Sequence, residues 1–385
     1  MQVRELEKNK KEIYKFINFA WKIYQNDPHW VAPLKNDLLK SLLGQDSTRK
    51  IKCGPHAFFM VWENNIPLGR ILVGINMKKN LRSHRKTGYF GYLEIVNSSK
   101  VLKVLMDSAI DWLQKQDIKT IIGPLCPDDD VEGRGLLIKG FNSPPVLMNS
   151  HHPPYYQKLI EEYGLIKDTD FYAYYSNNIV KLKTRVEKVS AFAMKKYHFT
   201  IDKININLLD REIKDVVEII NKIIYDRKEE ENGFEYANPP TYEEFTLEVK
   251  KYLAFIDPDL IYIARSGDKP IGFVFAFPDY NQVLKRINGS LFPLGMFKYL
   301  WYKRKIKGMR GLAQFVIPEF RNKAVNAAIF QRILEVAEWK EYEYIEGSLI
   351  SENNLRSRRV MENAGLIPYK IYRVYKKDFK AKSSV

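Results

Sequence analysis

Leu260-Ile261-Tyr262-Ile263-Ala264-Arg265-Ser266-Gly267-Asp268-Lys269-Pro270-Ile271-Gly272-Phe273-Val274-Phe275 reads as two apolar strands around a Ser-Gly-Asp-Lys turn, the chemistry of a β-hairpin. The same figure stands earlier in the chain. His56-Ala57-Phe58-Phe59-Met60-Val61-Trp62 is a strand, Glu63-Asn64-Asn65 a turn, and Pro67-Leu68-Gly69-Arg70-Ile71-Leu72-Val73 the returning strand. Gly69 and Gly272 lie about 203 residues apart.

Working outward, both hairpins meet the same sequence of elements. Leu102, Leu105, Met106, Ala109, Trp112 and Leu113 recur at helical spacing after the first, and Val325, Ile329, Ile333 and Ala337 after the second. A short apolar strand follows each helix, at Thr120-Ile121-Ile122 and at Tyr344-Ile345. Each half then closes with a helix, a Gly-Leu-Ile step and a tyrosine-rich strand. These are Gly164-Leu165-Ile166 leading to Tyr172 and Tyr174, and Gly365-Leu366-Ile367 leading to Tyr372 and Tyr375. Both glycines suit a helix C′ position, where positive φ is required. The register slips between these anchors through insertions near 279–311 in the second copy and 123–150 in the first, and then recovers. A duplicated α/β unit explains the whole order.

With 385 residues the chain exceeds what one core usually serves. Two domains are expected, at 1–178 and 179–385. Two cysteines, Cys53 and Cys126, are too few for a disulfide framework and lack zinc-site spacing. The charged N-terminus shows no signal peptide, and no apolar run reaches the roughly 20 residues that span a bilayer. The cytoplasm is the expected location, with peripheral contact at the inner face of the membrane. A formal charge of +16 favours anionic partners, although mutational bias toward lysine gives the same total.

The order hairpin, strand, helix, strand, helix, Gly-hydrophobic, strand resembles the GNAT acyltransferases. The most telling stretch is Gln314-Phe315-Val316-Ile317-Pro318-Glu319-Phe320-Arg321-Asn322-Lys323-Ala324-Val325-Asn326-Ala327. It is similar to the family's strand, Arg/Gln-x-x-Gly-x-Gly/Ala loop and helix. The downstream run Asn354-Leu355-Arg356-Ser357-Arg358-Arg359-Val360-Met361-Glu362-Asn363-Ala364-Gly365-Leu366 resembles the family's closing motif. Nearly the full length looks like a bacterial group of two-GNAT proteins. The carrying segments include Asp27-Pro28-His29-Trp30, Phe90-Gly91-Tyr92-Leu93-Glu94, Pro153-Pro154-Tyr155-Tyr156, Pro278-Asp279-Tyr280-Asn281 and Tyr369-Lys370-Ile371-Tyr372.

The resemblance implies an α/β (α+β) fold of two tandem GNAT-like domains, each a mixed, mainly antiparallel sheet flanked by helices. It implies acetyl-CoA or a longer acyl-CoA as co-substrate and an amine acceptor, small or lipid-like. Phe315, Val316, Arg321, Asn322, Lys323, Ala324, Val325 and Asn326 would hold the cofactor, since unpaired N–H groups and the positive helix end bind anions. Ala324 and Asn326 depart from the family's small residues, and Met361 stands where a tyrosine often protonates the departing thiolate. Glu346 and Asn354 are the candidate catalytic residues here, with Tyr236 in the acceptor loop. An ordinary solvent-facing Glu346 reads the same way in sequence. Thr241-x-x-Glu244 reads as a capping box.

The first half has no such phosphate loop after Phe90–Glu94, so no coenzyme A is expected there. Asp128-Asp129-Asp130 and His151-His152 are not expected to bind metal. Residues 281–311 carry eight cations, Lys285, Arg286, Lys298, Lys303, Arg304, Lys305, Lys307 and Arg310, and no acid, interleaved with aromatic and aliphatic residues. That composition suits an anionic membrane surface or lipid-like substrate. A basic helix covering the core fits it as well, and nucleic acid less well. The leading reading is an acyl-CoA-dependent N-acyltransferase working by direct attack from the second domain. The alternatives are a degenerate GNAT-like binding protein and a basic nucleic-acid or membrane-surface binder. Acceptor, acyl length and oligomeric state are not encoded in any motif.

Overall fold

The computed structural model describes residues 1–45, 54–125, 133–226, 239–253, 255–291 and 293–380. The chain opens with β1 (Gln2–Glu5), α1 (Lys10–Ile23) and α2 (Lys35–Leu42). The first hairpin follows as β2 (His56–Glu63) and β3 (Ile66–Ile75). Its turn residues Asn64 and Asn65 both have positive φ, a region that Asn enters more readily than most residues. Then come α3 (Met77–Ser83), β4 (Thr87–Ile95), α4 (Ser99–Gln114), β5 (Thr120–Gly123), β6 (Leu136–Lys139), α5 (Tyr155–Glu162) and β7 (Ile166–Ser176).

The second half starts with α6 (Ile179–Tyr197), β8 (Thr200–Lys203), α7 (Leu209–Ile224) and α8 (Tyr242–Tyr252). The second hairpin is β9 (Ile261–Ser266) and β10 (Lys269–Pro278). After it run α9 (Asn281–Ile287), α10 (Gly295–Lys303), β11 (Gly308–Val316) and α11 (Val325–Trp339). The chain closes with β12 (Tyr344–Ser351), α12 (Leu355–Ala364) and β13 (Ile367–Asp378). Thr241 and Glu244 form the expected capping box on α8.

Two compact units emerge. One comprises residues 1–171, 281–301 and 370–385, the other 172–280 and 302–369. This differs from a single cut at 178/179. The chain crosses from one unit to the other inside the long strands β7 and β13, where composition gives no linker signal, and 281–301 returns to the first unit.

In the first unit the strands run β1, β2, β3, β4, β5, with the C-terminal part of β13 pairing β5 and β6. β4 and β5 are parallel, and the amphipathic helix α4 makes the crossover that a parallel pair requires. Its buried face, Val101, Leu102, Leu105, Met106, Ala109 and Leu113, fills one core together with Ile71, Val73 and Phe90. In the second unit β8, β9, β10 and β11 are antiparallel neighbours. β11 is parallel to β12, with α11 as the crossover. Val325, Ala328, Ile329, Ile333 and Ala337 of α11 are buried in that core. Both Gly-Leu-Ile glycines take positive φ, 89° at Gly164 and 106° at Gly365.

The basic stretch 281–311 is not a single surface segment. It forms α9, α10 and the start of β11, and Arg310 is fully buried. That residue belongs to the sheet and not to the basic surface.

Candidate active site

β11 pairs with β10 along its length, from Met309 opposite Pro278 to Val316 opposite Gly272. Its other edge pairs with β12 only from Gly308–Tyr344 to Gly311–Gly347. Both partners in the last pair are glycines. Beyond them β11 continues to Val316 and β12 to Ser351, but their ladder has ended. The two strands thus part, and residues 312–316 turn one backbone edge toward the opening. Phe315 and Val316 lie on this stretch, the Phe315 ring against Phe273 at 5.3 Å between centroids.

A turn of 3-10 helix (Pro318–Phe320) leads from β11 to α11. Asn322 (φ 60°) and Ala324 (φ 54°, ψ 21°) are left-handed. Glycine is the residue that adopts this conformation without strain, so the loop keeps a glycine backbone without the glycine. Ala324 is the N-cap of α11 and has no side chain to cap it. The first amides of α11, at Val325, Asn326 and Ala327, therefore receive no side-chain acceptor from the cap. Asn326 accepts from Nε2 of Gln314 at its backbone carbonyl, 2.8 Å, while its Oδ1 is enclosed and has no hydrogen-bond partner among the described residues. Of the two cations, Arg321 is engaged by Asp226 at 3.0 Å, and Lys323 lies over the Phe320 ring at 4.3 Å. Arg321 is thus charge-balanced within the protein, and Lys323 is the loop's other positive group. A loop of this kind can offer an anion its backbone amides and one cation.

At the point of parting lies a closed polar cluster. Glu346 and Arg310 face each other across the parallel register, both with 0% exposure. Arg310 Nε stands 3.8 Å from Glu346 Oε2. Ser348 Oγ donates to the same carboxylate at 2.8 Å, and its carbonyl accepts from Arg310 at 3.1 Å. Tyr369 reaches the other oxygen at 3.5 Å, and its ring packs against Tyr175, which also packs against Tyr344. Glu346 is therefore no solvent-facing strand residue: its charge is held in an enclosed network.

Asn354 caps α12, its side chain accepting from the Ser357 amide at 3.0 Å. Met361 on that helix lies against Gly347: a Cβ there would come within 3.3 Å of its sulfur. Arg358 and Glu362, on the same helix, hold the Tyr174 hydroxyl at 3.0 and 2.9 Å, and burial pushes that hydroxyl above its ordinary pKa. Tyr236 and Asp128-Asp129-Asp130 lie outside the described residues.

In the first unit the corresponding opening is occupied by the chain itself. β4 and β5 pair over only Thr87–Tyr89, and then the Leu125 amide donates to the Phe90 carbonyl at 2.8 Å. Gly91 permits this approach, since a Cβ would lie 2.2 Å from the Leu125 carbonyl oxygen. Nearby is a polar core that sequence reasoning did not single out. Buried Glu94 accepts from Tyr24 (2.9 Å) and Tyr156 (2.8 Å) and faces Arg70 at 3.6 Å. Burial raises the Glu94 pKa despite that arginine. His151 Nε2 meets Asp27 at 2.8 Å, and the Leu137 amide donates to His152 Nδ1 at 3.1 Å. Burial lowers the pKa of both histidines, that of His152 to about 3. Adjacent in sequence, the two imidazoles serve different partners. The signal was present in Asp27-Pro28-His29-Trp30, Phe90–Glu94 and Pro153-Pro154-Tyr155-Tyr156, which carried the resemblance without any assigned chemistry.

No family model matches the chain. Protein YghO of Escherichia coli K12 is 28% identical over 384 residues, covering 96% of this chain and 93% of that protein. A bacterial ceramide synthase of Caulobacter vibrioides is 26% identical over 387 residues, covering 95% and 94%. Among solved structures, a tandem GNAT protein from the clavulanic acid biosynthesis pathway superposes with a TM-score of 0.56 at 12% identity, covering 100% of this chain and 99% of that one. The last likeness is one of fold.

Proposed function

The chain has a two-domain GNAT fold, and from that premise we propose that it is an acyl-CoA-dependent N-acyltransferase that works from its second unit on a lipid-like amine. The observation that carries this reading is the parting of β11 from β12 after Gly311 and Gly347, beside a helix whose N-terminus has no side-chain cap. Acyl-CoA brings an activated acyl group as a thioester. The amides of residues 325–327, with the dipole of α11 behind them and Lys323 alongside, hold its pyrophosphate. A backbone N–H on the open edge of residues 312–316 donates to the thioester carbonyl, where negative charge develops during attack. The acceptor nitrogen forms the new C–N bond as the C–S bond breaks. Met361 has no proton to give, so the sulfur departs as thiolate. The proton leaving the nitrogen passes to the Ser348 hydroxyl and its acceptor Glu346.

The likeness to the Caulobacter protein, which is named a ceramide synthase, supports the choice of a lipid-like acceptor. Titration calorimetry of the folded chain with acetyl-CoA and palmitoyl-CoA, followed by thiol release with sphinganine as acceptor, tests the reading. Binding of the long-chain thioester with acceptor-dependent thiol release is expected. A folded protein that binds neither thioester overturns it, and binding without thiol release makes the chain a binding protein.

A further inference from the structure

Helix α10 is inside out. A helix on a protein surface directs its polar arc to water, yet the exposed arc here carries Leu294 just before the helix (67% exposed), Phe297 (73%), Leu300 (58%) and Trp301 (64%). Gly295 is buried, and Met296, Tyr299 and Tyr302 are half-buried on the opposite side. Single exposed apolar residues are ordinary. Four on one arc within about two turns form a patch, and such patches mark interaction surfaces. Exposed Lys298 lies among them, and exposed Lys303, Arg304 and Lys305 follow directly. The sequence from 281 to 310 contains no acid.

We propose that α10 seats this protein on an anionic lipid bilayer, with Leu294, Phe297, Leu300 and Trp301 entering the headgroup–acyl boundary and Lys298, Lys303, Arg304 and Lys305 at the level of the lipid phosphates. Depth and charge are matched as in an interfacial helix: the apolar arc takes burial, and the cations beside it take the anionic surface. A second copy of the chain is a poor occupant, because the two basic patches and two +16 chains would repel. Nucleic acid would use the aromatic rings for stacking and the cations for phosphate, but it gives Leu294 and Leu300 nothing to bury in. An anionic leaflet supplies the charge that these cations require. The docking itself does not depend on the acyltransfer reading.

Flotation of the full-length protein with extruded vesicles separates these occupants. Binding is expected to vesicles containing phosphatidylglycerol, to weaken with added salt, and to be minor on phosphatidylcholine alone. K303E/R304E is expected to reduce vesicle binding at least about tenfold, since one cation near an anionic leaflet is worth roughly fivefold. F297S/W301S is expected to reduce it by at least as much by removing the two aromatic side chains of the buried arc. Both pairs lie on the surface, so unchanged thermal unfolding midpoints confirm that the fold is intact. Brominated lipids should quench wild-type fluorescence more than that of W301F. Wild-type protein that stays with the vesicle-free fraction, or binding unaffected by either pair, overturns the proposal. So does RNA binding lost in both variants while vesicle binding persists, or a dimer dissolved by F297S/W301S.

Discussion

Arg310 and Glu346 sit with no exposure at the point where β11 and β12 part, a fully buried pair of opposite charges. Removing one partner of such a pair leaves the other buried without its counter-charge, at a cost of about 3–5 kcal/mol. Glu346→Gln and Arg310→Met are each expected to lose stability on that scale in urea unfolding. The double apolar replacement R310M/E346M should recover most of the loss. If Glu346 serves only the fold, acyl transfer returns with stability in the double variant; if it takes the proton from the acceptor, transfer does not return. His152 gives a residue-scale prediction about pH. Its folded pKa, about 3, is below the ordinary histidine value, so the unfolded chain binds the proton that the native chain refuses. The stability this contributes is present above about pH 6.5 and is lost as pH falls toward 3. Between pH 6.5 and 5 the loss should approach about 2 kcal/mol, at 1.36 kcal/mol per unit. The His152→Asn variant should show a flatter dependence over that window. A slope identical to wild type would contradict the assignment.

Among elements, the loop into α11 and the cap of α12 decide how the candidate site is held. Ala324 is left-handed, a conformation that costs alanine about 1–2 kcal/mol and glycine almost nothing. Replacement by glycine also raises unfolded-state entropy, which costs about 0.4–1 kcal/mol. Ala324→Gly is therefore expected to leave urea stability unchanged or raised by up to about 1.5 kcal/mol, and to tighten acetyl-CoA binding. A clear loss of stability would mean that the loop is not left-handed at this position. Asn354 was a catalytic candidate from its motif, and its carbonyl caps α12. Asn354→Ala should cost about 1 kcal/mol and Asn354→Asp much less, as for other N-caps. The Thr241–Glu244 capping box, the hairpin turns and the Gly365 terminus were legible because each is local chemistry within a few residues. The capping role of Asn354 was not read from its motif. The engagement of Arg321 by Asp226 was not legible, because the partners are 95 residues apart.

For the whole molecule, the division into units is not a division of the chain. Tyr375 and Val374, both fully buried, lie in the part of β13 assigned to the first unit, where it pairs with β5 and β6. A fragment of residues 1–178 lacks that strand and 281–301, and it is expected to be insoluble or to exchange its β5 amides rapidly. The intact chain should protect them. A well-folded 1–178 fragment would refute this interleaving. The duplicated order of strands and helices, its hairpins and the glycine-terminated helices were written in the residues. Their causes are periodicity, turn chemistry and backbone sterics, which act over short stretches. Four features came only with tertiary structure: the parting of β11 and β12, the closed Arg310–Glu346 cluster, the filling of the first unit's opening by Leu125, and the outward apolar arc of α10. Each depends on which distant segments meet, or fail to meet, and local pattern carries no information about that.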